Sequence, residues 1–282
     1  MSRGLISSVG LFCALTAAPA AAAPQFKPTR ISVVVTGSGP DVVLIPGLAA
    51  SRGIWNSTAA AVPGYRYHLV QVAGFAGAPA AGNAKGPVAS AVADEIALYA
   101  ASRGLKRPAI VGHSMGGSIA MMIAARHPGA AGKVMVVDML PSPGGPFGLP
   151  SPVMKPLAGL IGDEVQRAGT LGRRLAPLVA RFGSADWISS RSDPDVVGRS
   201  VAELLATDLR PELRRIRAPL TVVYACPAGF GSACGAISRV YSSAYARRPG
   251  TRLVRIERSG HTIMWDQPAA FQAELRRFLG GV

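Results

Sequence analysis

The residues best suited to chemistry are six in a row, Gly112–His113–Ser114–Met115–Gly116–Gly117. They follow the apolar run Ala109–Ile110–Val111 and open a stretch, 114–126, with helical spacing that Pro128 stops. Glycine–X–serine–X–glycine between a strand and a helix holds the serine on a strained turn, and side chains in place of the flanking glycines would collide with neighbouring elements. The turn exposes the hydroxyl at the carboxyl edge of a sheet. The helix N-terminus behind it turns free N–H groups and a positive dipole end toward developing negative charge. Ser114 is the candidate nucleophile; the alternative is a glycine-rich loop with a capping serine. A neutral hydroxyl attacks poorly until a base takes its proton, so the rest of the chain must supply that base.

The elements that would position these residues alternate between β and α. Ile31–Val35 and Asp41–Ile45 read as strands joined by the turn Gly37–Ser38–Gly39–Pro40, which predicts a hairpin. Short strands are expected at 69–72, 109–111, 133–137, 220–224 and 253–256, and helices at 88–103, 114–126 and 271–279. Strands separated by helices of ten or more residues predict an α/β fold: a mostly parallel sheet with helices on both faces. The interval 141–217 differs. It opens with Pro141, Pro143, Gly144, Gly145, Pro146, Pro150 and Pro152 and continues in short amphipathic pieces such as Val196–Leu205. It is read as a helical lid between a first core part, 24–140, and a second, 218–282.

The elbow Gly112–Gly117 resembles that of the α/β-hydrolase family, and the resemblance extends over essentially everything after the first two dozen residues. The late segment Ser259–Gly260–His261–Thr262–Ile263–Met264–Trp265–Asp266–Gln267–Pro268 is similar to that family's histidine loop. The resemblance implies that His261 is the base. It also implies an oxyanion hole built from the Met115 N–H and the Leu48 N–H, although Pro46–Gly47–Leu48 carries proline where the family usually has histidine. The acid departs from the family's commonest pattern. The loop after 220–224 holds no Asp or Glu, and Glu257, four residues before His261, is badly placed to reach back. Some members carry the acid after the preceding core strand. There the run Lys133–Val137 ends in Asp138, which inherits the role of orienting His261. The competing reading makes Asp138 a loop cap. Asp163, Asp186, Asp193, Asp195 and Asp208 read as surface or capping residues, Met121 and Met122 as core. Trp55 is expected in the core or against substrate, and Phe147, Leu149 and Met154 in an acyl pocket or the core.

The N-terminus reads as a secretory signal peptide, 1–23. Arg3 is the positive end, 5–15 the apolar stretch, and the alanine-rich run 17–23 holds the cleavage site, after Ala20 or Ala22 because Pro24 disfavours a later cut. The apolar stretch falls short of the ~20 residues of a membrane span. Export to the periplasm or medium leaves Cys226 and Cys234 as the cysteines of the mature chain, and at that spacing in an oxidising compartment they are expected to form a disulfide. Net charge is +15, but the basic residues are scattered as pairs without aromatic interleaving. That pattern argues for a solvated surface with weak adhesion to anionic envelopes rather than a specific nucleic-acid partner.

The expected function is hydrolysis of a small carboxylic ester through a Ser114 acyl-enzyme, with no metal or organic cofactor implied. The same triad on C–C bonds, amides or perhydrolysis is the alternative within the enzyme class. A non-catalytic ligand-binding homologue is the alternative outside it.

Overall fold

Alternation of apolar side chains on both faces of successive strands dictates a three-layer arrangement. On one face Val43, Ile45, Ile110, Val134, Val136 and Val222 pack against helices; on the other Val42, Leu44, Val111, Met135, Val137 and Val223 do the same. The computed structural model describes residues 26–144 and 191–280. The expected signal peptide and the segment 145–190, with Phe147, Leu149, Met154, Asp163 and Asp186, lie outside the described residues.

The strands are β1 (Ile31–Thr36), β2 (Asp41–Ile45), β3 (Arg66–Val72), β4 (Ala109–His113), β5 (Lys133–Val137), β6 (Leu220–Cys226) and β7 (Arg252–Glu257). They form one sheet in the order β1-β3-β2-β4-β5-β6-β7, with β1 antiparallel to β3 and every other pair parallel. The helices are α1 (Asn56–Ala61), α2 (Ala89–Ser102), α3 (Met115–Arg126), α4 (Pro194–Ala206), α5 (Cys234–Tyr245), α6 (Ile263–Asp266) and α7 (Pro268–Gly280). The apolar faces of α2 and α3 (Val92, Ile96, Ile119, Ile123) bury in one core, and Trp55 meets Phe271 of α7 in the other, ring centroids 6.1 Å apart.

The expected β1–β2 hairpin is not formed. β3 lies between the two strands, pairing Ile31 with Val72 on one side and Asp41 with Arg66 on the other. The connection therefore crosses the start of β3, where Arg66 N–H donates to Pro40 O at 2.9 Å. Gly37 and Gly39 make the crossing at φ +75° and +116°, pressed so closely on the Tyr65 and Gly64 carbonyls that neither could carry a Cβ. Two adjacent β-branched runs with glycines between them fit either connection, and only the later strand decides which forms.

Between β5 and β6 the described residues hold α4 and no strand. The start of α4 is fastened to the core. Asp193 caps α4 by accepting from Asp195 and Val196 N–H, while Asp193 N–H itself donates to Gly74 O at 2.7 Å. Glu203, on α4, accepts from the Val88, Ala89 and Ser90 N–H groups at 2.7–2.8 Å and so caps α2 from outside.

Candidate active site

Ser114 sits between β4 and α3 at φ 53°, ψ −124°, a backbone conformation that costs a non-glycine residue of order 1–3 kcal/mol. Its surroundings hold it there. Ser114 N–H donates to Val137 O at 2.9 Å, and Ser114 O accepts from Gly117 N–H at 2.7 Å. A Cβ on Gly112 would strike the Gly116 carbonyl, and one on Gly116 would come within 2.6 Å of Pro46 O. The glycines of the motif thus let three backbone segments touch, and the serine is the residue left facing outward.

Asp138 follows β5 at φ 51°, a left-handed conformation that Asp tolerates better than most residues. Its Oδ2 lies 2.7 Å from His261 Nδ1. The other oxygen, Oδ1, accepts from Ala225 N–H at 3.0 Å and from the Tyr241 hydroxyl at 2.9 Å. Burial pushes this carboxyl up, but the hydrogen bond and charge of His261, with the Ala225 and Tyr241 donors, outweigh it and hold the group below the usual carboxylate range. An acceptor on Nδ1 leaves Nε2 of His261 free to accept a proton.

His113 ties the histidine loop to the elbow. Its Nε2 lies 2.9 Å from His261 O, and the two rings are 4.7 Å apart. A carbonyl only accepts, so His113 carries its proton on Nε2, and Nδ1 has no partner among the described residues. Burial and then the neighbouring His261 lower its pKa to about 3, so His113 is neutral wherever an enzyme of this kind would work.

Across from Ser114 runs the loop after β2. A Cβ on Gly47 would lie 3.0 Å from His113 Nδ1 and 3.1 Å from Ser114 Cβ, so glycine is what lets this loop approach the serine. Among the described residues neither Leu48 N–H nor Met115 N–H donates to an acceptor. Gln71, buried on β3, sets the loop's position. Its Oε1 accepts from Arg52 N–H at 2.9 Å, and its amide donates to Ala50, Val72 and Phe75 carbonyls at 3.2–3.3 Å. Gln71→Met fills the volume but frees the loop; kcat on a chromogenic ester is expected to fall about 100-fold with KM little changed, as misplaced groups remote from the reacting bond do.

Residues 42–274 match the family model described as "Alpha/beta hydrolase family". The chain belongs to the alpha/beta hydrolase family. Among curated relatives it is 27% identical to the pimeloyl-[acyl-carrier protein] methyl ester esterase of Aeromonas hydrophila over 272 residues, covering 89% of this chain and 99% of that one. It is also 27% identical to the N-formylmaleamate deformylase of Pseudomonas putida over 251 residues, covering 86% and 90%. Among solved structures, a thermophilic esterase from Thermogutta terrifontis superposes with a TM-score of 0.68 at 20% identity, covering 89% of this chain and 93% of that one. At that identity the likeness is one of fold.

Within this alpha/beta hydrolase the structure brings Asp138 to His261 and leaves Glu257 outside, ion-paired with Arg255 on the exposed edge of β7. Cys226 and Cys234 are joined, with Cα atoms 5.7 Å apart, linking the end of β6 to the start of α5. Trp55, Met121 and Met122 are core residues. Asp193 is a cap, Asp195 is exposed, and Asp208 pairs with Arg210. Sequence reasoning missed His113, Gln71 and Tyr241. A signal existed for each: a histidine inside the elbow, a glutamine inside an apolar strand, and the spacing Ile237–Tyr241–Tyr245, which lines one face of a helix.

Proposed function

We propose that this chain is an exported serine hydrolase that cleaves carboxylic esters through an acyl-enzyme on Ser114. The observation that carries the reading is the 2.7 Å contact between Asp138 and Nδ1 of His261, whose own loop is bonded to the residue preceding Ser114. In the reaction Ser114 Oγ attacks the acyl carbon while His261 Nε2 takes its proton. Leu48 and Met115 N–H donate to the oxyanion, and His261 returns the proton to the departing alcohol oxygen. Water, deprotonated by the same Nε2, then adds to the acyl carbon; collapse breaks the acyl–Oγ bond and returns a proton to Ser114. Asp138 keeps the histidine in the productive tautomer and stabilises the imidazolium. The methyl ester esterase among the relatives supports an ester as substrate. The apolar stretch 5–15, the alanine run after it and the two remaining cysteines support export, and the 141–217 insertion is proposed as a helical lid. The +15 charge supports weak attraction to an anionic envelope.

One observation favours a second reading. The deformylase relative is named for removing an N-formyl group, which is an amide. Purified protein is therefore to be tested on p-nitrophenyl esters from acetate to long acyl chains, on N-formyl amides, and with a fluorophosphonate followed by intact-mass and peptide mapping. The expected result is ester turnover together with a single phosphonyl group on Ser114. Labelling with turnover of amides alone moves the assignment to the second reading. Neither labelling nor turnover removes catalysis altogether.

A further inference from the structure

An aspartate that orients a histidine must itself be oriented, because a carboxylate on one rotatable bond can swing either oxygen away. Among the described residues two groups donate to one oxygen of Asp138, Oδ1. Ala225 N–H comes from β6, the strand next to Asp138. The Tyr241 hydroxyl comes from α5, and its environment permits only donation. Tyr241 is buried, its ring stacked on Tyr224 at 4.2 Å with 16° between planes and lying parallel to Tyr245 at 6.5 Å. Tyr224 is held in turn through Ser238, and Tyr245 donates to Met139 O at 2.6 Å, beside Asp138. Burial first, and the Asp138 charge next, keep the Tyr241 phenol protonated far above its ordinary range.

We infer that Tyr241 is a positioning residue for the catalytic acid: its hydroxyl, with Ala225 N–H, fixes Oδ1 of Asp138 so that Oδ2 faces His261. The inference rests on the proposed Ser114–His261–Asp138 reading and deepens it. The hydroxyl has an electrostatic effect as well as a geometric one, since donation to Oδ1 draws charge away from Oδ2. Removing it makes the Asp138–His261 pair a stronger base toward its next proton, so the acid limb of the activity profile moves to higher pH. Among the described residues the titratable groups facing Asp138 are His261, Tyr241 and Tyr245, with His113 acting through its field. His113 stays neutral above about pH 4 and burial pushes Tyr245 well up, so neither competes for the observed proton.

The test is Tyr241→Phe, which keeps the ring stack and deletes one oxygen. Two readouts need no knowledge of the substrate: the rate of fluorophosphonate labelling of Ser114 against pH, and the NMR titration of the His261 ring. We expect labelling at pH 7 to slow about 10-fold, as for loss of one charge-assisted hydrogen bond, and both midpoints to rise by about half a unit. Tyr224→Phe removes a hydroxyl from the same stack but not from Asp138, and both midpoints should stay in place. In an Asp138→Asn background, Tyr241→Phe should add little, because its effect passes through the carboxylate. Unchanged rate and midpoints in Tyr241→Phe, or equal shifts in Tyr224→Phe, would overturn the inference while leaving the triad intact. Full labelling of Asp138→Asn would instead sink the triad reading itself.

Discussion

Ser114→Ala is expected to lower kcat on esters by about 10⁶-fold and to abolish fluorophosphonate labelling. The alanine keeps the Cβ and therefore the strained φ of 53°, so the fold, the His261–Asp138 contact and the Leu48 and Met115 donors stay where they are. What remains is binding and the proposed oxyanion donors, which is why activity should fall to a small residue above the uncatalysed rate rather than to nothing. Ser114→Gly separates chemistry from strain. Glycine populates φ > 0 at no steric cost, so this variant should be equally inactive yet more stable than wild type by about 1 kcal/mol. Urea unfolding of the three proteins checks the stability order. A glycine variant no more stable than the alanine one would mean that the elbow is not strained in solution.

The second large effect belongs to Asp138→Asn, for which we expect kcat to fall about 10⁴-fold with little change in stability. The two donors on Oδ1 decide the outcome. Ala225 N–H and the Tyr241 hydroxyl both need an acceptor, so they claim the carbonyl oxygen of the new amide and turn its NH₂ toward His261. An NH₂ facing Nδ1 selects the tautomer with hydrogen on Nε2, the atom proposed to take the serine proton. Steady-state kinetics on a chromogenic ester measure the fall. Because histidine cannot begin as base in that tautomer, the loss should ease as hydroxide takes over at high pH. Wild-type activity in Asp138→Asn would return the acid to another carboxylate.

Most of this site was legible in the sequence because its parts are local. Gly112 to Gly117 carries its own strand, turn and helix start, and a turn needing glycine at two backbone contacts can be read from six letters. Asp138 was legible by position, as the first residue past a buried strand. The connectivity of β1 was not legible, because Ile31–Val35 pairs with whichever strand the crossing reaches, and that depends on the later run His68–Val72. α5 was hidden by composition. Its serines, β-branched residues and glycine are weak helix formers, and its one apolar face is carried by Ile237, Tyr241 and Tyr245 rather than by aliphatic periodicity. Gln71 and His113 stand in apolar surroundings, and only the backbone groups they meet, from distant loops, show why they are polar.

The Cys226–Cys234 bridge bears on when in its life the protein becomes a catalyst. It fastens the first residue of α5 to the last of β6, so the helix that brings Tyr241 and the strand that brings Ala225 N–H to the same oxygen are held by one covalent tie. A newly made chain in a reducing cytosol lacks that tie. For a protein exported as proposed, maturation of the acid would then coincide with arrival in the oxidising compartment, and the cell's internal esters would meet only the weaker, immature form.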